Sequence, residues 1–359
     1  MKWKWEDTMS KVGGIGVPPV EENVPPVILR NYGKWDTHEI PRPGVIKHVA
    51  QSGEVCYTIR TAMPPSRVST SSMLELCDLA DEYSGGFFRI TLRNSFEFVD
   101  VNPEKINELI EKVEAKGFPV GGTKNSMHNI MACPSWIHCN LPATDSPGIA
   151  KALGDALIDE FRNQRLPSWL KINIGGCANI EEALMADIGI IGVHRDLPIV
   201  LEDSFRICER PTVIACCPTG AIKPKGEIGI QISAEKCIHC GACTMACEAI
   251  LTGDPKLDGF AVSVGGKASN TGSGPDLGRI VIPYLPNNPP KWEEAVKAVT
   301  QIMDAWKKSA EPDERIREWI NRIGWDRFFR KAGIAVSLKD IDGYIYGNEF
   351  ARSDLRFGW

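Results

Sequence analysis

Four cysteines stand at Cys237-x2-Cys240-x2-Cys243-x3-Cys247, a run that brings three thiolates onto one short loop. This spacing suits a compact iron–sulfur core, whereas a zinc ribbon would prefer two separated pairs. Gly241, inside the run, lets the backbone curl round such a core. In tandem runs of this kind the last cysteine serves the other cluster of the pair. Only one run is complete here, and upstream Cys217-Pro218 reads as the tail of a degenerate first one. The expectation is that Cys217, Cys237, Cys240 and Cys243 hold one [4Fe–4S] cluster and Cys247 is a core cysteine. The alternative makes Cys247 the fourth ligand and Cys217 structural. Cys208 and Cys216 read as packing residues.

A second, wider set is Cys133-x5-Cys139 with Cys177 further on, in Gly175-Gly176-Cys177-Ala178-Asn179. Twelve cysteines in 359 residues are too dilute for a disulfide scaffold, and their clustering points to metal in a reducing compartment. Lys and Arg number 41 against 46 Asp and Glu, a poor fit to a protein that binds nucleic acid by neutralising phosphates. No stretch approaches the ~18 apolar residues of a membrane span, and the longest apolar run, Ile188 to Val193, reads as a buried strand. The positive charges at Lys2 and Lys4 have no apolar run behind them, so no signal peptide is expected and the location expected is cytoplasmic.

The elements that must position these cysteines alternate between strand and helix. Gly53 to Thr61 and Phe87 to Val101 read as strands. Ser72 with Glu75 forms a capping box ahead of a helix carrying Met73, Leu76, Cys77 and Ala80. Ile106, Leu109, Ile110 and Val113 line one face of a helix from Glu104 to Lys116, which Gly117 stops. Further on, a helix is expected from Pro147 to Arg162 and strands at Lys171–Ile174 and Ile188–Val193. The tail is helical over Lys291–Lys308 and Glu311–Lys331. The Pro-containing first 30 residues read as an extended arm, and the aromatic, Arg-rich stretch Tyr344–Trp359 as a docking segment.

A Cys-x5-Cys followed by Cys-x3-Cys is the ligand pattern of the siroheme-linked cluster in sulfite and nitrite reductases. Together with Thr91-Leu92-Arg93-Asn94, Trp136-Ile137-His138-Cys139, Gly192-Val193-His194-Arg195 and Arg322-Ile323-Gly324-Trp325, it makes the chain resemble the beta subunits of dissimilatory sulfite reductases nearly end to end. The resemblance implies an α+β fold: two sulfite-reductase-type α+β halves, an inserted ferredoxin-like [4Fe–4S] module and a helical C-terminal tail. The boundaries expected are an arm at 1–40, a first half at 41–125, a second at 126–207, the insert at 208–268, and a return with the tail at 269–359. It implies a siroheme and [4Fe–4S] clusters, and an α2β2 heterotetramer with an alpha subunit. It also implies a small sulfur-carrier protein with C-terminal cysteines as partner, and six-electron reduction of sulfite toward sulfide, or the reverse. Arg60, Arg67, Arg89, Arg93, Asn94 and Arg195 are the candidates for the siroheme carboxylates, and His138 and Lys171 for binding and protonating sulfite.

One departure stands out. The beta-subunit pattern has cysteines where this chain has Gly176 and Glu181, while Cys133 is an alpha-like feature. Three thiolates of four remain: Cys133, Cys139 and Cys177. Glu181 is an oxygen ligand, or the cluster is three-iron or lost, or the alpha subunit holds the working site and this one is structural. The rival to a catalytic beta subunit is accordingly a non-catalytic electron-transfer and scaffold subunit with a degenerate siroheme–cluster site.

Overall fold

The computed structural model describes residues 20–336 other than Ser66, Thr271 and Ser273. The expected C-terminal docking segment and most of the expected arm lie outside the described residues. The described chain divides into two compact units, residues up to 129 with 157–169, and residues 130–156 with those from 170 onward.

In the first unit, β1 (Trp35–Arg42), β2 (Val45–Ala50), β3 (Val55–Thr61), β4 (Phe88–Ile90) and β5 (Phe96–Val99) form an antiparallel sheet in the order β1-β2-β3-β5-β4. Residues 35–40, expected within the arm, are therefore part of a strand, and Pro26–Arg30 is a short helix. The expected strand 87–101 is a hairpin, β4 and β5, turned at Thr91–Ser95 with Asn94 at positive φ. Alternation sorts the sheet's two faces. Ile59, Phe96 and Phe98 pack with Leu76 and Leu79 of the helix Thr70–Tyr83 and with Leu109 and Val113 of the helix Ile106–Ala115. Cys56, Glu97 and Val99 occupy the opposite-parity positions, and Cys56 and Val99 pack with Val27. The helix cap is Ser69, whose hydroxyl accepts the Ser72 N–H at 3.1 Å, so Ser72 lies inside the helix.

The second unit is built on a five-stranded mixed sheet of β6 (Met131–Ala132), β7 (Ile172–Gly175), β8 (Ile188–Val193), β13 (Gly259–Val264) and β14 (Arg279–Pro286), ordered β14-β13-β8-β7-β6. β6, β7 and β8 run parallel, and β13 returns antiparallel to β8. β7 and β13 are buried throughout, as expected of strands covered on both faces. The helices Glu293–Ser309, Ile316–Ile323 and Trp325–Ala332 bury Trp306, Trp319 and Phe328. A buried ion pair, Arg315 to Asp187 at 2.8 Å, ties this tail to the approach to β8. The expected helix 147–162 is two helices, Ser146–Ala156 and Ile158–Arg162, assigned to different units.

Between β8 and β13 the chain folds a small module. β9 (Ile199–Val200) pairs with β12 (Ile250–Leu251), enclosing the hairpin of β10 (Ile222–Lys225) and β11 (Gly229–Ile232) and two short helices, Arg210–Ala215 and Ala242–Ala246. β13, expected inside the insert, belongs instead to the large sheet.

Candidate functional site

Cys217, Cys237, Cys240 and Cys243 line one small cavity in the module, together with Pro218, Thr219, Gly241 and Ala242. Cys217 arrives from the end of the helix Arg210–Ala215, and the other three lie in and beside the turn that enters Ala242–Ala246. Gly241 is required there: its φ is +73°, and a Cβ would collide with the Leu141 side chain. Cys208 and Cys247, read from sequence as separate core residues, are disulfide-bonded to each other, with Cα atoms 5.7 Å apart. Cys247 does not line the cavity, so geometry groups Cys217 with the three loop cysteines.

Donors are already aimed at the sulfur of Cys217. The Ala221 N–H points at it from 3.2 Å and the Thr219 hydroxyl lies 3.6 Å away. Burial alone would raise the Cys217 thiol, yet the Thr219 hydroxyl and the N–H groups of Thr219, Ala221 and Ile222 hold it below its ordinary range. Cys243 is pushed up to about 12 by burial and then by the neighbouring thiols of Cys216, Cys240 and Cys237. Burial likewise raises Cys237 and Cys240. Gathered thiolates repel one another, and a cationic iron core is the natural counter-charge. Four soft donors with N–H groups turned toward sulfur fit an iron–sulfur cluster.

Cys133 and Cys139 lie near enough to Cys177 to act on it electrostatically. Cys177 is raised by burial, and the charges of Cys133 and Cys139 raise it further. Cys133 follows β6, Cys177 follows β7, and the Gly176 N–H donates to the Cys133 sulfur at 3.1 Å. At Gly176 a Cβ would lie 2.8 Å from Pro142 Cβ and 3.0 Å from Ser135 Oγ, so this backbone has no room for the cysteine of the beta pattern. Glu181 sits in a short 3-10 turn; its side chain lies outside the described part of the structure. Of the two residues expected to handle protons, His138 is exposed, immediately before Cys139. Lys171 is half-buried just ahead of β7, with its backbone N–H on Asp187 at 3.0 Å.

The cationic candidates divide between the units. In the first unit, Arg60 and Arg89 converge on one fully buried carboxylate, Glu97, with Arg60 at 2.6 Å. Strand register builds this triad, because Glu97 of β5 faces Arg60 of β3 on one side and Arg89 of β4 on the other. Sequence reasoning missed Glu97; the available signal was a charge set between Phe96 and Phe98 in an alternating strand. Arg60 also donates to the Gly122 carbonyl. Arg93 donates to the Asn129 carbonyl at 3.1 Å, Asn94 lies in the turn beside it, and Arg67 is half-buried. In the second unit, Arg195 stacks over the Tyr284 ring at 4.5 Å. His194, beside it, is buried between Asp258 and the Leu141 carbonyl, which puts it in a structural role.

The four cysteines round one cavity on this fold fit the iron–sulfur class of redox proteins, and comparison with known families agrees. The nitrite and sulphite reductase 4Fe-4S domain matches residues 123–339, and the nitrite/sulfite reductase ferredoxin-like half domain matches 48–116. The chain is 42% identical to the dissimilatory-type sulfite reductase subunit beta of Archaeoglobus fulgidus, covering 96% of this chain and 97% of that one. It is 38% identical to the subunit of the same name from Nitratidesulfovibrio vulgaris, covering 93% and 92%. The fold resembles the crystal structure of dissimilatory sulfite reductase I, with a TM-score of 0.77, 19% identity, and coverage of 85% of this chain and 78% of that one. The chain belongs to the nitrite and sulphite reductase family, among its dissimilatory-type beta subunits.

Proposed function

We propose that the chain is the beta subunit of a dissimilatory sulfite reductase. It works with an alpha subunit in an α2β2 heterotetramer in the cytoplasm, and a small sulfur-carrier protein with C-terminal cysteines takes the product. The observation that carries the reading is the gathering of Cys217, Cys237, Cys240 and Cys243 round one cavity, with Cys133, Cys139 and Cys177 in the same unit. The first set would hold a ferredoxin-type [4Fe–4S] cluster, and the second would supply three ligands on the siroheme side. When bound, siroheme and clusters would relay the six electrons exchanged between an external redox partner and each sulfite reduced toward sulfide, or the reverse.

The chain's own residues do the rest. Arg60 and Arg89, held in register by Glu97, present cationic N–H groups to the siroheme carboxylates. Arg93, fixed by Asn129, with Asn94 and Arg67 in the first unit, and Arg195 in the second, are the further candidates for siroheme carboxylates. His138 and Lys171 hold the protons that departing oxygens need. The purified native complex tests this by its optical and EPR spectra, with iron and siroheme counted per chain. Ferredoxin-type iron plus siroheme that responds to sulfite is the expected result. Iron on the module alone, with sulfite leaving the spectrum unchanged, would replace the catalytic reading with that of a scaffold.

A further inference from the structure

In the cavity that gathers Cys217, Cys237, Cys240 and Cys243, one side-chain hydroxyl is set against a cysteine sulfur. Thr219 lines that cavity and is only 1% exposed. Its Oγ1 lies 3.6 Å from the Cys217 sulfur, within hydrogen-bond reach of so large an atom, and the Ala221 N–H donates to the same sulfur at 3.2 Å. The local chain holds the hydroxyl there. Cys217-Pro218-Thr219-Gly220 is a closed turn in which the Gly220 N–H donates to the Cys217 carbonyl at 3.2 Å, and Pro218 stands where its fixed φ suits a turn. Beyond the turn, the Ser233 N–H donates to the Ala221 carbonyl at 2.9 Å, so the β10–β11 hairpin anchors its far end. Thr219 is β-branched, which restricts its χ1. A free thiol could donate to the hydroxyl, but a metal-bound thiolate carries no proton and only accepts. With metal on Cys217 the hydroxyl is therefore the donor, and this buried polar group has the partner it needs.

Resting on the reading above, we propose that Thr219 is a positioning residue whose hydroxyl fixes the Cys217 sulfur and raises the reduction potential of the iron–sulfur group held by the four module cysteines. Hydrogen bonds to cluster sulfurs are among the factors that set a cluster's potential, and outer partners fix the orientation of ligands. A donor aimed at sulfur stabilises the more negative, reduced state more than the oxidised one. The Ala221 N–H would be present with almost any side chain at that position, whereas the second donor depends on threonine or serine at 219.

The test compares the native complex with Thr219→Val, which keeps the branched shape without the hydroxyl, and Thr219→Ser, which keeps the hydroxyl without the methyl. Iron per chain, the rate of iron release to a chelator, and the midpoint potential of the module's group followed by EPR are measured. In Thr219→Val, iron content is expected to be retained and release to quicken about tenfold, the lower end of what losing an outer hydrogen-bond partner costs a metal site. Its potential is expected to fall by about a tenfold change in the oxidised-to-reduced ratio at fixed poise, which is about 59 mV for one electron. Thr219→Ser should stay near the native values in both. Thr219→Ala supplies a second protein without the hydroxyl and should show the same fall in potential, so that the test stands even where the valine protein fails to assemble. A native potential in either hydroxyl-free protein, with the module's iron present, would overturn the role of Thr219. So would a potential in Thr219→Ser as low as that of Thr219→Val. A native complex without iron on the module would instead overturn the reading beneath it, and iron content separates the two failures.

Discussion

At the scale of single residues, the sharpest question is which cysteine completes the module's set. Cys217 shares a cavity with Cys237, Cys240 and Cys243 and has N–H donors turned to its sulfur, whereas Cys247 is bonded to Cys208. Cys217→Ser should therefore lose most of the module's iron. Cys247→Ser should keep the iron, while losing a cross-link that is typically worth about 2–4 kcal/mol. Iron assay and thermal melting read the two effects separately, and the reverse pattern of iron loss would restore Cys247 as ligand. Away from the cysteines, His48 is a second titrating feature. Burial first, then His38, Arg89 and Arg60 nearby, lower it to about 4 against the partial opposition of Glu97. Its Nδ1 lies 2.7 Å from that of His38, and its Nε2 lies 3.1 Å from the Thr58 hydroxyl. The folded form binds its proton less readily than the unfolded form, so the contribution is full above pH 6.5 and is lost as pH falls toward 4. The loss should be on the order of 1 kcal/mol after allowing for solvent screening. Melting His48→Asn alongside the parent between pH 7 and pH 4 should show this part of the pH dependence removed.

At the scale of elements, the Cys177 loop is shaped by glycines as much as by its cysteine. A Cβ at Gly176 would press on Pro142 and Ser135, and one at Gly192 of β8 would strike the Gly176 carbonyl. Gly176→Cys, which restores the beta-subunit pattern, should thus cost about 1–3 kcal/mol through overpacking. It should add no iron; a stable Gly176→Cys complex with an extra iron-binding thiolate would show the loop to be more adaptable than its packing implies. The sequence made such elements legible where one periodicity ran unbroken: Ile188–Val193 coincides with β8, and the faces of the tail helices were readable from Trp306 and Val299. It failed where neighbours were equivalent. Ser69, Thr70, Ser71 and Ser72 could each have capped one helix, and only the folded chain selects Ser69. β1 escaped notice because most of its residues are exposed, leaving little hydrophobic pattern to read. The Cys217 grouping was readable because Cys-Pro keeps a recognisable local spacing. The Cys208–Cys247 bond and the Arg60–Glu97–Arg89 register were not, since both depend on contacts made only by the tertiary fold.

At the scale of the whole molecule, the second unit joins a robust part to a fragile one. The sheet β14-β13-β8-β7-β6 buries β7 and β13 completely and carries a tail anchored by Trp306, Trp319 and the Arg315–Asp187 pair. The module between β9 and β12 spans only about fifty residues, a length that rarely builds an adequate core unaided. Its apolar core centres on Phe205, Val213, Ile222, Ile230 and Ile250, and the remaining cohesion falls to its cysteines. Because a cluster binds the folded ligand set and not the unfolded chain, its binding free energy is also folding free energy for the module. Chelating iron from the native complex should therefore raise amide hydrogen exchange across residues 205–250, while β7, β8, β13 and the tail helices keep their protection. Reducing the Cys208–Cys247 bond as well should extend the exposed region without reaching the sheet. Equal loss of protection in module and sheet would mean that the unit unfolds as one body and that the cluster stabilises the whole of it. Unchanged exchange in the module would mean that its small apolar core suffices alone.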